Sequence, residues 1–153
     1  MVGAELARWV LVSHVGVTLM LVGLIWTIQV VHYPLFSSVG RASFERFHAG
    51  HTGRISVLVI PLMLTEVATG ALLLMSPPAS LSWSSLWLGA ILLAVVWVST
   101  FALHVPQHEA LSKGLDLDTC RAMVRTNWIR TLAWTGRGAL GMVWFEQALM
   151  RAS

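Results

Sequence analysis

Five of the six histidines in this 153-residue chain lie close to other groups that can bind a metal or move a proton. In "FERFHAGHTGRIS", Phe44 to Ser56, Glu45 and His48 stand three residues apart, and so do His48 and His51. Residues three apart on a helix share a face. Glu-x-x-His is also how helical bundles present a carboxylate and an imidazole to a di-iron centre. Gly50 and Gly53 weaken the helix around His51. In "HVPQHEAL", His104 and His108 stand four apart, with Pro106 between them. Proline lacks a backbone donor and disfavours helix at the residue before it, here Val105. A kink, or a new short helix from Pro106, keeps the two imidazoles near one another in either case.

Imidazole with carboxylate suits iron, zinc, copper or manganese. The expected metal ligands are His32, Glu45, His48, His51, His104 and His108, around one or two ions. Arg54, Asn127 and Arg130 are the expected catalytic residues. They would hold a substrate oxygen or orient the ligands. The lone cysteine, Cys120, excludes an internal disulfide and an iron–sulfur cluster, and reads as an incidental thiol in a loop.

The elements that must position these residues are set by composition. Hydrophobic residues make up 56% of the chain and charged residues 11%, against roughly 25% charged in a soluble domain. The solvent is therefore lipid. A net charge of +3, with the basic residues at segment ends, gives no nucleic-acid surface. Four apolar runs reach bilayer length, about 20 residues: Trp9 to Val31, Ile55 to Met75, Ser85 to Leu103 and Trp128 to Met150. Four runs in one chain cannot close a barrel, so helices are expected. No internal repeat stands out. The expected fold is all-α: a single-domain integral membrane four-helix bundle, left-handed, in a bacterial-type inner membrane, with self-association open.

Orientation follows from basic residues. Arg8 and Arg151 flank the termini. Arg41, Arg46, Arg54, Lys113, Arg121, Arg125 and Arg130 lie at the other end, which the positive-inside rule places in the cytoplasm. The expectation is N-out and C-out. His32, His48, His51, His104 and His108 then converge on the cytoplasmic helix ends, roofed by residues 33–52 and 107–126, with Asn127 and Arg130 beside them.

Polar groups inside the spans need partners. At about 1.5 Å per residue, Glu66 and Arg137 share a depth and are expected to pair. His14 and Glu146 also share a depth and are expected to hydrogen-bond. Gly136, Gly138 and Gly141 would let the fourth helix approach a neighbour closely.

The stretch "HVPQHEALSKG" followed by "RTNWIRTLAW" resembles the anthrone oxygenase-like family of small four-helix membrane proteins. The likeness covers roughly Leu103 to Val143 and rests on Pro106, Leu111, Asn127 and Arg130, with Arg125 nearby. It implies a four-helix membrane bundle. Fungal members oxidise polycyclic phenolic anthrones with oxygen. The chain departs from that pattern at His104 and His108, where many members carry Asn. Together these readings point to a metal-dependent membrane oxidoreductase, with iron as the metal and a lipophilic quinol or polycyclic phenol as substrate. A haem b protein, a zinc hydrolase and a non-enzymatic scaffold or transport subunit are the alternatives.

Overall fold

A computed structural model describes residues 2–150, and the described residues form helices joined by short turns, without strands. Helix α1 spans Val2–Thr27 and runs into a π-turn, Ile28–His32, and a short α2, Tyr33–Phe36. Helix α3 spans Arg41–Met75 and α4 spans Trp83–Ser99. A second π-turn, Thr100–His104, leads into α5, Val105–Leu111, and α6 spans Leu117–Met150.

Two helices begin earlier than expected. The stretch Phe44 to Ser56 is not a lid: it forms the first turns of α3, continuous with the apolar run. Gly50 and Gly53 do not interrupt it, because packing outweighs propensity. Phe44 and His48, four apart, are both buried, and their rings stack at 5.8 Å. Helix α6 likewise starts at Leu117, eleven residues before the apolar run. Asp116 caps it, accepting from the Asp118 amide at 3.0 Å and the Thr119 hydroxyl at 2.6 Å. Gly114, with φ +132°, turns the chain from α5 into α6 in a conformation that suits only glycine. Cys120 lies inside α6 and is buried, not in a loop.

Helix α1 packs on α3 and α6, and α6 also packs on α4, giving the order α3, α1, α6, α4 around the bundle. The glycines of α6 permit this. A Cβ on Gly138 would sit 3.0 Å from Val22, one on Gly141 3.4 Å from Val15, and one on Gly136 3.5 Å from Leu92 of α4. The remaining seam, between α3 and α4, is loosely filled and holds an apolar cavity of about 450 Å³.

Three stretches are long and apolar enough to cross a membrane: Glu5–Phe36, Arg41–Met75 and Trp83–Leu111. The outward face of α3 carries exposed Val57, Leu58, Ile60 and Leu64, as a lipid-facing helix would. Helix α6 does not qualify by composition, and its burial shows why. Asn127, Arg130, Thr131 and Arg137 are turned inward, so α6 is a polar helix covered by apolar ones. Arg151 lies outside the described residues.

A repeat absent from the residue pattern is present in the elements. Each half has a long helix, a π-turn closing on a histidine, a proline two residues later, a short helix, a turn and a long returning helix. The motifs are His32-Tyr33-Pro34 and His104-Val105-Pro106. Each proline falls in the first turn of a short helix, where its missing donor costs least. Pro106 therefore does not break the third span, because the π-turn absorbs the misfit. Such bulges are frequent at functional sites.

Candidate metal and substrate site

The six expected metal ligands do not form one shell. Among the described residues, no three His, Cys, Asp or Glu side chains surround a point where a metal ion could sit. The histidines divide instead into two groups.

The inner group lies between the π-turns, α3 and α6, with Tyr33, His48 and His104 buried and His108 half-buried. Tyr33 Oη lies 3.1 Å from His108 Nε2, and His108 Nδ1 lies 3.1 Å from His48 Nε2. Arg130 Nη2 donates to Tyr33 Oη at 3.3 Å. One consistent assignment of protons runs from Arg130 to Tyr33, from Tyr33 to His108 Nε2, and from His108 Nδ1–H to His48 Nε2. This is a continuous hydrogen-bonded chain across four helices, α6, α2, α5 and α3. His104, 1% exposed, stacks on the Tyr33 ring at 6.2 Å. Neither of its ring nitrogens has a hydrogen-bond partner, and its approach to the Thr126 backbone falls short of that geometry.

Arg130 is buried, and it also donates to Asn127 Oδ1, from Nε at 3.0 Å and Nη2 at 2.7 Å, and to Thr100 Oγ1 at 3.3 Å. All its acceptors are neutral. Asn127 Nδ2 in turn donates to Gln29 Oε1 at 2.9 Å. Tyr33, Gln29 and Thr100 were missed as site residues. Their signals were present: Tyr33 is the sole tyrosine, and Gln29 is the only amide within the first apolar run.

The outer group is His32 and His51, whose rings lie 5.3 Å apart. His51 and His48 both pack edge-on against Phe36, at 5.0 and 5.9 Å, without hydrogen-bonding each other. Arg54 lines a groove with His32 and His51, to which neither Asn127 nor Arg130 contributes. Glu45 does not join His48. Its carboxylate is exposed near the Gly114 turn, one helix face away. Of the expected ligands, then, His48, His104 and His108 come together, His32 and His51 form a separate pair, and Glu45 stands outside both.

A third polar cluster lies nearer the middle of the bundle. Glu66 accepts from Arg137 Nε at 2.9 Å, from Thr18 at 2.8 Å and from Trp134 Nε1 at 3.0 Å, which bears out the expected Glu66–Arg137 pair. Arg137 also donates to the Gly89 carbonyl and to His14 Nε2. His14 does not bond Glu146. Its Nδ1 meets Thr69 Oγ1 at 2.8 Å, because the ring points towards α3. Thr69 spends its own proton on the Thr65 carbonyl, so His14 Nδ1 is the donor and the imidazole is neutral. Every charge here is paired, which reads as a structural lock.

Outside the apolar spans, two groups are perturbed. The Thr119 hydroxyl and the Asp118 amide hold the Asp116 carboxyl below the usual range. Burial, aided by the charge of Asp116, pushes the Cys120 thiol up. No family model, no curated protein and no solved structure matches the chain, so the anthrone oxygenase-like resemblance rests on Pro106, Leu111, Asn127 and Arg130.

Proposed function

We propose that the chain is a metal-dependent membrane oxidoreductase acting on a lipophilic phenol or quinol. The observation that carries this reading is the hydrogen-bonded chain Arg130–Tyr33–His108–His48 beside an unbonded His104. Arg130 is a buried cation whose acceptors are all neutral. An unpaired buried charge is costly, and a phenolate oxygen would complete it. Arg130 would hold the phenol oxygen beside Tyr33, and the proton shared between His108 Nδ1 and His48 Nε2 would leave when those nitrogens take up the ion.

For a quinol, two protons and two electrons leave together, with molecular oxygen as acceptor: quinol and oxygen give quinone and hydrogen peroxide. A metal ion, with iron as our assignment, would carry the electrons. Two features support it. His48 Nε2 and His108 Nδ1, 3.1 Å apart, would both hold the ion. The freedom of His104 from hydrogen bonds lets it turn to supply a third nitrogen.

The test is purification in detergent, metal analysis by mass spectrometry, a visible spectrum, and oxygen uptake with a short-chain quinol. We expect stoichiometric iron, lost in His48→Ala and His108→Ala, and quinol-dependent oxygen uptake that falls in Arg130→Gln. A haem absorption band or stoichiometric zinc would replace this reading with a haem protein or a hydrolase. No bound metal and no uptake would overturn it. For orientation we propose N-out and C-out from the distribution of basic residues. A C-terminal reporter active on the cytoplasmic side would refute that.

A further inference from the structure

The end of the bundle away from the termini carries a groove of about 860 Å³ between α1 and α3. On the α3 side it is built from one stripe. Arg46, Gly50, Arg54 and Leu58 follow at four-residue steps, so they share a face. The stripe is graded. Cations and the His51 imidazole come first, and aliphatic residues follow towards the apolar part of the helix, where Leu24 of α1 joins them. No Asp or Glu lines the groove.

Arg46 and Arg54 are exposed and have no carboxylate partner. The ion pairs among the described residues use Lys113, Arg121 and Arg137 instead. Gly50 adds a separate observation. Glycine weakens a helix interior, yet a Cβ at Gly50 would meet nothing within 4 Å. No protein neighbour requires glycine there. What it does is keep the groove wall flat between the two arginines. An arginine fork suits phosphate oxygens, and basic pockets between membrane helices suit phospholipid headgroups. The ordering of the stripe, cationic and then aliphatic, matches a headgroup followed by acyl chain.

We propose that this groove binds an anionic phospholipid, with its phosphate at Arg46 and Arg54 and an acyl chain along Leu24 and Leu58. The proposal does not depend on the oxidoreductase reading. The test is native mass spectrometry of the full chain released from micelles doped equally with phosphatidylglycerol and phosphatidylcholine. Wild type should retain phosphatidylglycerol in preference. Arg46→Gln with Arg54→Gln should reduce that retention by about 30-fold, since each basic residue at an anionic surface contributes roughly a factor of five. Arg41→Gln with Arg125→Gln removes the same charge outside the groove and should leave retention near wild type. Gly50→Leu should lower retention while the thermal midpoint holds or rises. Millimolar inorganic phosphate should not displace the lipid. Equal loss in the two double variants, no lipid preference, or complete displacement by free phosphate would each overturn the proposal.

Discussion

Arg137 Nε lies 2.9 Å from Glu66 Oε1, joining α6 to α3 with both side chains sealed from the surface. Glu66 is also the acceptor for Thr18 and Trp134, so one carboxylate ties α1, α3 and α6 together. Glu66→Ala leaves a buried guanidinium uncompensated and should cost about 3–5 kcal/mol. The readout is unfolding in detergent followed by circular dichroism. Glu66→Met combined with Arg137→Leu should recover part of that loss, because no charge is left stranded. A double variant as unstable as the sum of the singles would count against a charge-pairing role.

The α1–α6 contact depends on Gly138. A Cβ there would press on Val22 at 3.0 Å, and a larger side chain must push the helices apart. Gly138→Leu should lower stability by about 1–3 kcal/mol, the usual cost of overpacking. Gly23→Ala is the control, since nothing lies within 4 Å of its Cβ, and it should cost nothing. Comparable melting shifts in both variants would show that the glycines matter for propensity, not approach.

Cys120 offers a test of how α6 begins. It is 2% exposed, and burial raises its thiol pKa, so the reactive thiolate is scarce at neutral pH. Maleimide should label the folded protein slowly and the denatured protein at once. Being the sole cysteine, it gives an unambiguous mass shift. Rapid labelling of folded protein would mean that the first turns of α6 are open.

Asp116 sets the pH response of the same region. Its folded pKa is lowered, first by the Thr119 hydroxyl and then by the Asp118 amide. A lowered folded pKa adds stability above the unfolded value, about 3.9, and that stability is lost as pH falls through the folded value. Hydrogen exchange at the Asp118 to Cys120 amides should therefore stay slow at neutral pH and quicken only at strongly acidic pH. Asp116→Asn, an equally good cap, should remain protected there, whereas Asp116→Ala should exchange fast at every pH. Protection that survives Asp116→Ala would remove the cap from this account.

Depth along the membrane was legible in the residues, and direction around each helix was not. Glu66 and Arg137 pair as their positions along the helices predict, because a fixed rise per residue converts sequence into depth. The same arithmetic placed His14 beside Glu146. It failed because His14 faces Thr69 on α3, and depth carries no azimuth. Glu45 failed likewise: three residues from His48, it shares a helix side loosely but points at the α5–α6 turn. The gathering of His48, His104 and His108 near Asn127 and Arg130 was foreseeable from the topology. The division of His32 and His51 from them was not, since it depends on which side of Phe36 and Tyr33 each ring packs.

The paired π-turns make the residue count itself a functional variable. Each turn carries one residue more than the α-helical path needs. That extra residue rotates everything beyond it by about 100°. Removing one residue from Ile28–His32 or Thr100–His104 would give a smoother helix with every side chain chemically intact. It would nonetheless swing Tyr33 or His108 out of the hydrogen-bonded chain. In this protein a single-residue deletion in an apolar stretch should be better tolerated by the fold than by the site, the reverse of what deletion does to an ordinary helix.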